Sequence, residues 1–471
     1  MNSLSVSSPI KIAINAQLPS NGGSGGTEYV LIGLISALGK LSDGEEEYVI
    51  IGPWENTDWL KPYLGPNQRL IRGPNPEDEQ QRTFKHIPSG SSNLGRLLHY
   101  FQGQDSPKAH NFSRFLPSWS RPFARRVNKR LHDFVSPRAN RFQAPLSNGF
   151  YENLGCDVIH FPNPSFILCA LPMIYNPHDL LHLHYPQFFT PGLIQEREAI
   201  YPPGCHYARV VVAGSQWIKN DLVKQYGLKP KKIQVIPWGA PTQAISEPTP
   251  ELIKSVEIKY NLPSVFAFYP AMLWEHKNHL RLLEALAYLR DQKGLIVCLV
   301  CTGSSSGSTF WPKIEQHLQK LNLNSQAQFI GIISSEELRA IYKLSQFVIV
   351  PTLFEAASAP VFEAWHEGIP VACSTVTSLP EQAGNAALLF DPFSVEAIAE
   401  AVQRMATDEQ LRSDLVQKGH RRLMDFSWER TAKAYRAVYR CAAGYPLTDE
   451  DRLLLSWDWM RNPKNTDKET L

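Results

Sequence analysis

The sequence predicts an α/β fold built from two doubly wound units. Two series of short apolar runs alternating with amphipathic stretches carry that prediction, one over residues 11–238 and one from residue 264 onward. A break rich in Pro, Ser and Thr separates them at 239–263 and reads as the inter-domain connector. The size agrees: 471 residues, 43% hydrophobic and 20% charged, is a globular composition with length for two large domains rather than a disordered chain.

The first unit opens with the strand KIAIN (11–15), the loop AQLPSNGGSGGTE (16–28), the helical pattern YVLIGLISALGKL (29–41) and the strand YVIIG (48–52). This is a βαβ opening with glycines at the helix N-terminus, where backbone N–H groups can approach an anion. The loop does not fit G-x-G-x-x-G, since Glu28 stands where the last glycine belongs, and a plain flexible loop is an equal reading. Apolar runs follow at DVIHF (157–161), PMIYN (172–176), VVVAGS (210–215) and KIQVIPW (232–238).

The second series runs VFAFYPA (265–271), LRLLEALAYLR (280–290), LIVCLVCTG (295–303), WPKIEQHLQKL (311–321), QFIG (328–331), EELRAIY (336–342), FVIVPT (347–352), PVFEAWHEG (360–368) and PVACS (370–374). Strand and helix alternate throughout, as a parallel sheet requires. The expected boundaries are an N-terminal Rossmann-like domain at 1–245, a linker at 246–263, a C-terminal Rossmann-like domain at 264–425, and a closing helix with tail at 426–471.

Residues 77–148 interrupt the alternation as a basic insertion. Within it, 108–141 carry nine Lys or Arg against the single acidic Asp133. The pattern RPFARRVNKRLHDFV (121–135) sets Phe123, Val127, Leu131 and Phe134 on one helical face, opposite Arg125, Arg126 and Lys129. Two readings stand: a surface helix with a solvated basic face, or an interfacial helix touching anionic lipid.

Lys plus Arg (47) nearly balance Asp plus Glu (45), which gives no reason to expect a nucleic-acid partner. The seven scattered cysteines suit a reducing cytoplasm better than a disulfide framework, and the Cys298–Cys301 CxxC lies inside an apolar run without a second pair to complete a zinc site. No basic, then apolar leader pattern opens the chain, and no run approaches ~18 apolar residues. The expected location is cytoplasmic, or peripheral on the inner membrane face if 121–135 meets lipid.

Three places carry candidate chemistry. In VPTLFEAASAPVFEAWHEGIPVACS (350–374), Pro360 suits a first helical turn, Ser358 or Ala359 can cap it, and Gly368 ends it. Small residues at the helix entry leave its N–H groups approachable, with Glu355 just before that entry and Glu363 one turn inside it, where carboxylates can accept hydrogen bonds from sugar hydroxyls; an amphipathic helix with two solvated glutamates is an equal reading. Lys277, in YPAMLWEHKNH (269–279), follows a strand and opens another helix, where its charge suits a diphosphate or is that of a solvated first-turn lysine. His178, in IYNPHDLLHLHYPQFF (174–189), follows a strand end; His182 and His184 lie nearby, but no metal-ligand spacing accompanies them, so no metal is expected.

Together these motifs resemble glycosyltransferase family 4, retaining sugar-nucleotide-dependent enzymes of the GT-B fold, in which two Rossmann-like domains face across a cleft. The most specific element is the E-x7-E pattern of Glu355 and Glu363. Supporting it are the glycine loop, His178–Asp179, VAGSQWIKNDLVKQYG (212–227), KIQVIPWG (232–239), FIG (329–331), SLPEQAGNAALLFDP (378–392) and the closing FSWERTAKAYRAVYR (426–440).

The resemblance implies that Lys277 binds the donor diphosphate, Glu363 the ribose, and Glu355 the transferred sugar, with backbone N–H groups of Ala357, Ser358 and Ala359 helping. Gly25 and Gly26 would approach the phosphates from the N-terminal, acceptor-side domain, Ile333 would meet the base through its backbone, and His178 would contact the sugar near the reacting carbon. It further implies metal-independent transfer of a hexose, mannose being one candidate, to a glycan, lipid or small-molecule acceptor. The nucleotide sugar is then a substrate, and no cofactor is expected.

Two positions depart from the family. EAASAP stands where EGFGLP is usual, which places Cβ atoms at Ala356 and Ser358. Ala271 and Met272 stand where an arginine usually precedes the lysine, with His276 or His279 as candidate replacements. These departures keep one rival open, a catalytically silent sugar-nucleotide-binding regulator; a second rival is a sugar-nucleotide epimerase on the same fold.

Overall fold

The computed structural model describes residues 9–18, 26–75, 145–240, 247–306 and 308–458. Gly25 and the basic pattern 121–135 lie outside the described residues.

Seven strands form the first sheet: β1 (Lys11–Asn15), β2 (Glu47–Gly52), β3 (Gln68–Arg72), β4 (Val158–Phe161), β5 (Met173–Tyr175), β6 (Val210–Ala213) and β7 (Ile233–Val235). They pair in parallel in the order β3-β2-β1-β4-β5-β6-β7. Buried Ile, Val and Tyr side chains pack on both faces of this sheet, as a parallel sheet covered by helices demands.

Six strands form the second: β8 (Ala267–Tyr269), β9 (Leu299–Cys301), β10 (Ala327–Phe329), β11 (Phe347–Val350), β12 (Val371–Ser374) and β13 (Leu388–Phe390). Their order, β10-β9-β8-β11-β12-β13, repeats the winding of the first sheet. In each sheet the order reverses beside the first strand, between β1 and β4 and between β8 and β11. Loops leaving the carboxyl ends of those strands open the crevice where ligands bind in such folds.

The connector is shorter than the sequence suggests. Residues Pro250–Lys259 form a helix, capped by Thr249 Oγ1 on the Leu252 N–H, that packs on the helix Ser335–Leu344 and buries Val256 in the C-terminal core.

The closing helix, Trp428–Ala443, leaves the C-terminal domain and packs on the N-terminal sheet beside the first helix, Gly26–Lys40. Trp428, Ala432, Tyr435, Val438 and Tyr439 join that domain's core. Beneath them His160 Nδ1 meets the Tyr439 hydroxyl at 2.8 Å and His160 Nε2 meets Asn176 Oδ1 at 3.0 Å. The Trp428 indole N–H donates to the Ala240 carbonyl (2.8 Å), which fixes the helix at the point where the chain leaves the first domain.

Candidate active site

The loops after β8 and β11 are clasped together at the reversal of the second sheet. The Leu353 N–H donates to the His276 carbonyl (2.8 Å), and the Asn278 side-chain amide donates to the carbonyls of Pro351 and Pro392 (2.9 Å each). Asn278 has φ +64°, a left-handed conformation that asparagine tolerates, and it joins the 3₁₀ turn Glu275–Lys277 to the helix His279–Lys293. The Tyr269 hydroxyl donates to the Lys277 carbonyl (2.9 Å). Lys277 is therefore held by its backbone in the turn before the helix rather than in the first helical turn.

This clasp sets the Lys277 Nζ 2.5 Å from Glu355 Oε1, with the two side chains only 16% and 13% exposed. Burial raises the Glu355 carboxyl above the usual carboxylate range, and the Lys277 ammonium opposes that rise. The backbone of Glu355 is fixed by Thr377, whose hydroxyl accepts from its N–H (3.0 Å), and by Ser378, whose hydroxyl donates to its carbonyl (2.7 Å).

The helix Ala359–His366 starts as the sequence suggests, with Pro360 in its first turn and Ser358 at the capping position, but Ser358 makes no side-chain cap. Instead the Gln382 amide brackets it, accepting from the Ser358 N–H and donating to its carbonyl (2.8 Å each). The buried Ser358 Oγ has no hydrogen-bond partner. One turn in, Glu363 accepts from the Tyr342 hydroxyl at 2.6 Å. Burial raises its carboxyl too, and Tyr342 holds it against that rise.

His178 lies across the cleft after β5, half-buried, at φ +60°. Its ring packs edge-on to Trp238 at 5.4 Å, and its Nε2 has no partner. Burial pushes the imidazole below its ordinary pKa, so the ring is neutral. The neighbouring Asp179 carboxylate adds to the rise at Glu355.

Gly26 opens the first helix exposed, and a Cβ there meets nothing within 4 Å. Ile333, on the loop after β10, packs half-buried on the C-terminal core. Among the described residues no group of His, Cys, Asp and Glu is arranged to hold a metal; His182 pairs with Glu198 and His184 with Asp221, each at 2.8 Å.

The departure at Ala356 has a physical account. Ala356 packs on the core of the N-terminal domain, and Ala356 and Ala357 line a narrow cavity with Gly214, Ser215 and Trp238, so the added methyl group serves the domain interface. His276 and His279 do not replace the arginine. Both are buried, and burial pushes their rings down to about 2 and about 3, so neither carries charge at neutral pH.

Several contributors escaped sequence reading. Phe354 packs against His184 (5.3 Å) and Trp217 (5.5 Å) of the N-terminal domain, and the Glu381 carboxylate accepts from the Gln216 N–H (2.9 Å) at a helix start of that domain. On the first helix, Tyr29 bridges to Ser335 Oγ at 2.8 Å, within electrostatic reach of Glu363. These pairs are far apart in the chain, and their residue types carry no spacing signal.

A model of the family described as "Glycosyl transferases group 1" matches residues 253–422, and one described as "Glycosyltransferase Family 4" matches residues 99–244. The chain belongs to the group 1 glycosyltransferases. The O-antigen chain mannosyltransferase B of Escherichia coli is 23% identical over 268 residues, 55% of this glycosyltransferase and 69% of that protein. Sucrose-phosphate synthase from Thermosynechococcus elongatus superposes with a TM-score of 0.60 at 19% identity, over 92% of this chain and 98% of that one. Anabaena HepE, solved with UDP and glucose, gives 0.59 at 16% identity, over 92% and 100%. At such identities these structures show the fold, which is GT-B.

Proposed function

We propose that this glycosyltransferase moves a hexose, with retention at the anomeric carbon, from a nucleotide-diphosphate sugar to a glycan, lipid or small-molecule acceptor. The observation that carries the reading is the Lys277–Glu355 contact at the switch point of the second sheet, with Glu363 held by Tyr342 one helical turn away. Lys277 turns to the diphosphate, Glu355 accepts hydrogen bonds from the sugar hydroxyls, and Glu363 accepts them from the ribose. Ala357, Ser358 and Ala359 offer backbone N–H groups at a helix start, Gly26 with Gly25 approaches the phosphates, and Ile333 meets the base.

Retention here needs no carboxylate nucleophile. Glu355 is an ion-paired group suited to holding hydroxyls, whereas a retaining glycosidase sets two carboxyls ~5 Å apart across the bond. Front-face departure and attack suits the site: the leaving diphosphate is stabilised by Lys277 and backbone N–H groups and takes the acceptor's proton. The neutral His178, with its free Nε2, contacts the sugar near the reacting carbon. The charge is carried without a metal.

Mannose is a candidate sugar because the E. coli relative is named a mannosyltransferase, and glucose because HepE was solved with UDP and glucose. A thermal-shift screen against UDP, GDP and ADP identifies the base, since a bound ligand raises the melting point. Stabilisation by none of them defeats the donor reading. Slow donor hydrolysis supports the transferase over the silent regulator, and donor isomerisation without acceptor would make the chain an epimerase.

The basic pattern 121–135 suits an acceptor at an anionic membrane surface, and no helix among the described residues is long and apolar enough to cross one. Co-sedimentation with anionic vesicles that weakens with salt supports this contact; a chain left in the supernatant at low salt abolishes it.

A further inference from the structure

The helix Pro191–Tyr207 presents Arg197 to two aromatic faces. Its guanidinium carbon lies 4.6 Å from the Phe189 ring centroid and 5.6 Å from that of Tyr201. Aromatic faces hold a cation in place without neutralising it. The neighbouring carboxylate, Glu198, is occupied by His182 Nε2 (2.8 Å) and the Tyr226 hydroxyl (3.2 Å). Among the described residues no carboxylate pairs with Arg197.

The segment that carries this stack also touches the candidate donor loops. The Tyr185 hydroxyl donates to the Leu353 carbonyl at 3.3 Å, two residues before Glu355, and Phe188, next to Phe189, stacks on Tyr185 at 5.2 Å. Leu353 in turn donates to His276, the residue before Lys277. The Arg197 charge reaches across the same cleft, where it adds to burial and Lys277 in keeping His276 neutral.

On the other side of the cleft the donor reading assigns the diphosphate a single cation. A departing nucleoside diphosphate carries at least two negative charges, and Lys277 is one. Met272, 39% exposed, stands where an arginine would supply another. Arg281 keeps its charge, but its guanidinium is held on the Asn278 side chain (3.0 Å) and over the Phe393 ring (5.9 Å).

We propose that Arg197 supplies, from the N-terminal domain, the second positive charge on the donor diphosphate; this rests on the donor reading of Lys277. As the anomeric C–O bond breaks, its electron pair stays on the diphosphate oxygen, and the acceptor hydroxyl forms the new bond while its proton passes to that diphosphate. The planar guanidinium meets two phosphate oxygens at once, which an ammonium does not. Because the two cations sit on different domains, donor departure is coupled to closure of the cleft.

The test is titration calorimetry of the full chain with UDP, GDP and ADP, and with the monophosphate of whichever binds. Arg197→Ala, and Arg197→Gln, which keeps the stem on the rings, are each expected to weaken diphosphate binding by roughly tenfold, as loss of a charged hydrogen bond does. Monophosphate binding stays near wild type, and adding Met272→Arg to Arg197→Gln restores diphosphate affinity. Unchanged diphosphate affinity in folded Arg197→Gln overturns the proposal, as does an equal loss for both phosphates or a rise in acceptor KM alone. If the wild type binds no diphosphate, the donor reading falls too; if Lys277→Ala weakens binding and Arg197→Gln does not, this proposal falls alone.

Discussion

The Lys277 ammonium and the Glu355 carboxylate, 78 residues apart in the chain, meet at 2.5 Å beside the reversal of the second sheet. A half-buried ion pair is a poor source of stability, because desolvating both charges offsets most of their attraction. Its position is better explained by what each partner does when the other's place is taken. On the proposed donor reading, an anion arriving at Lys277 would free Glu355 for hydroxyl groups, so donor binding and sugar recognition would be exchanged through a single contact.

For Lys277 the expected outcome is a loss of nucleotide-diphosphate affinity of about 1.5–3 kcal/mol in Lys277→Ala, the value of a charged hydrogen bond. The fold survives, because the turn is held by backbone bonds through Tyr269, Leu353 and Asn278 rather than by the ammonium. Titration calorimetry decides, and an unchanged affinity removes Lys277 from the phosphate site.

The two glutamates are expected to fail differently. Glu363→Gln weakens binding of the bare nucleotide, because the ribose is present in donor and product alike. Glu355→Gln lowers kcat through the lost sugar contact and does not weaken bare-nucleotide binding, because losing the ion pair leaves the Lys277 ammonium free for the diphosphate. Equal losses of nucleotide affinity in both variants would refute this division.

The strands and the paired glutamates were legible because each leaves a local mark: an apolar run ended by Pro or Gly, or a fixed spacing around a helix start. β3 left none. Its sequence QRLIR has only two apolar residues, since it lies at the sheet edge and buries little. Tyr342 and Arg197 were equally silent, because their partners are brought to them by the winding of the chain. The proposed histidine replacements failed for another reason: sequence shows a residue type but not its burial, and burial decides whether an imidazole carries charge.

Gly33 and Gly239 frame Trp428, and this predicts a stability effect opposite to helix propensity. A Cβ on Gly33 would stand 2.2 Å from the indole, and one on Gly239 2.5 Å from it. Alanine in a helix interior ordinarily gains roughly 0.5–1 kcal/mol over glycine. Here overpacking costs about 1–3 kcal/mol, so Gly33→Ala is expected to lower the melting midpoint. Gly192→Ala, also helical but with nothing within 4 Å of its Cβ, should not. Equal midpoints for Gly33→Ala and wild type would mean that Trp428 does not seat the closing helix as described.

The buried histidines predict a loss of stability in mild acid. Burial pushes His160 and His279 down to about 3 and His276 to about 2, whereas an unfolded chain titrates them near 6.5. As pH falls from about 6.5 toward 3, the unfolded chain binds protons that the folded one refuses, so their contribution, complete above 6.5, is progressively lost. Each histidine steepens the dependence by up to about 1.4 kcal/mol per pH unit. His160 separates the case from general acid unfolding, since it lies under the closing helix, and protonation there buries a charge and turns the Tyr439 hydroxyl from donor to acceptor. The measurement is urea unfolding of wild type and His160→Gln between pH 7 and 5. The variant is expected to start lower and fall less steeply, by about one proton. Parallel curves would show that His160 titrates alike in both states, and that the hydrogen bonds beneath the closing helix tolerate the charge.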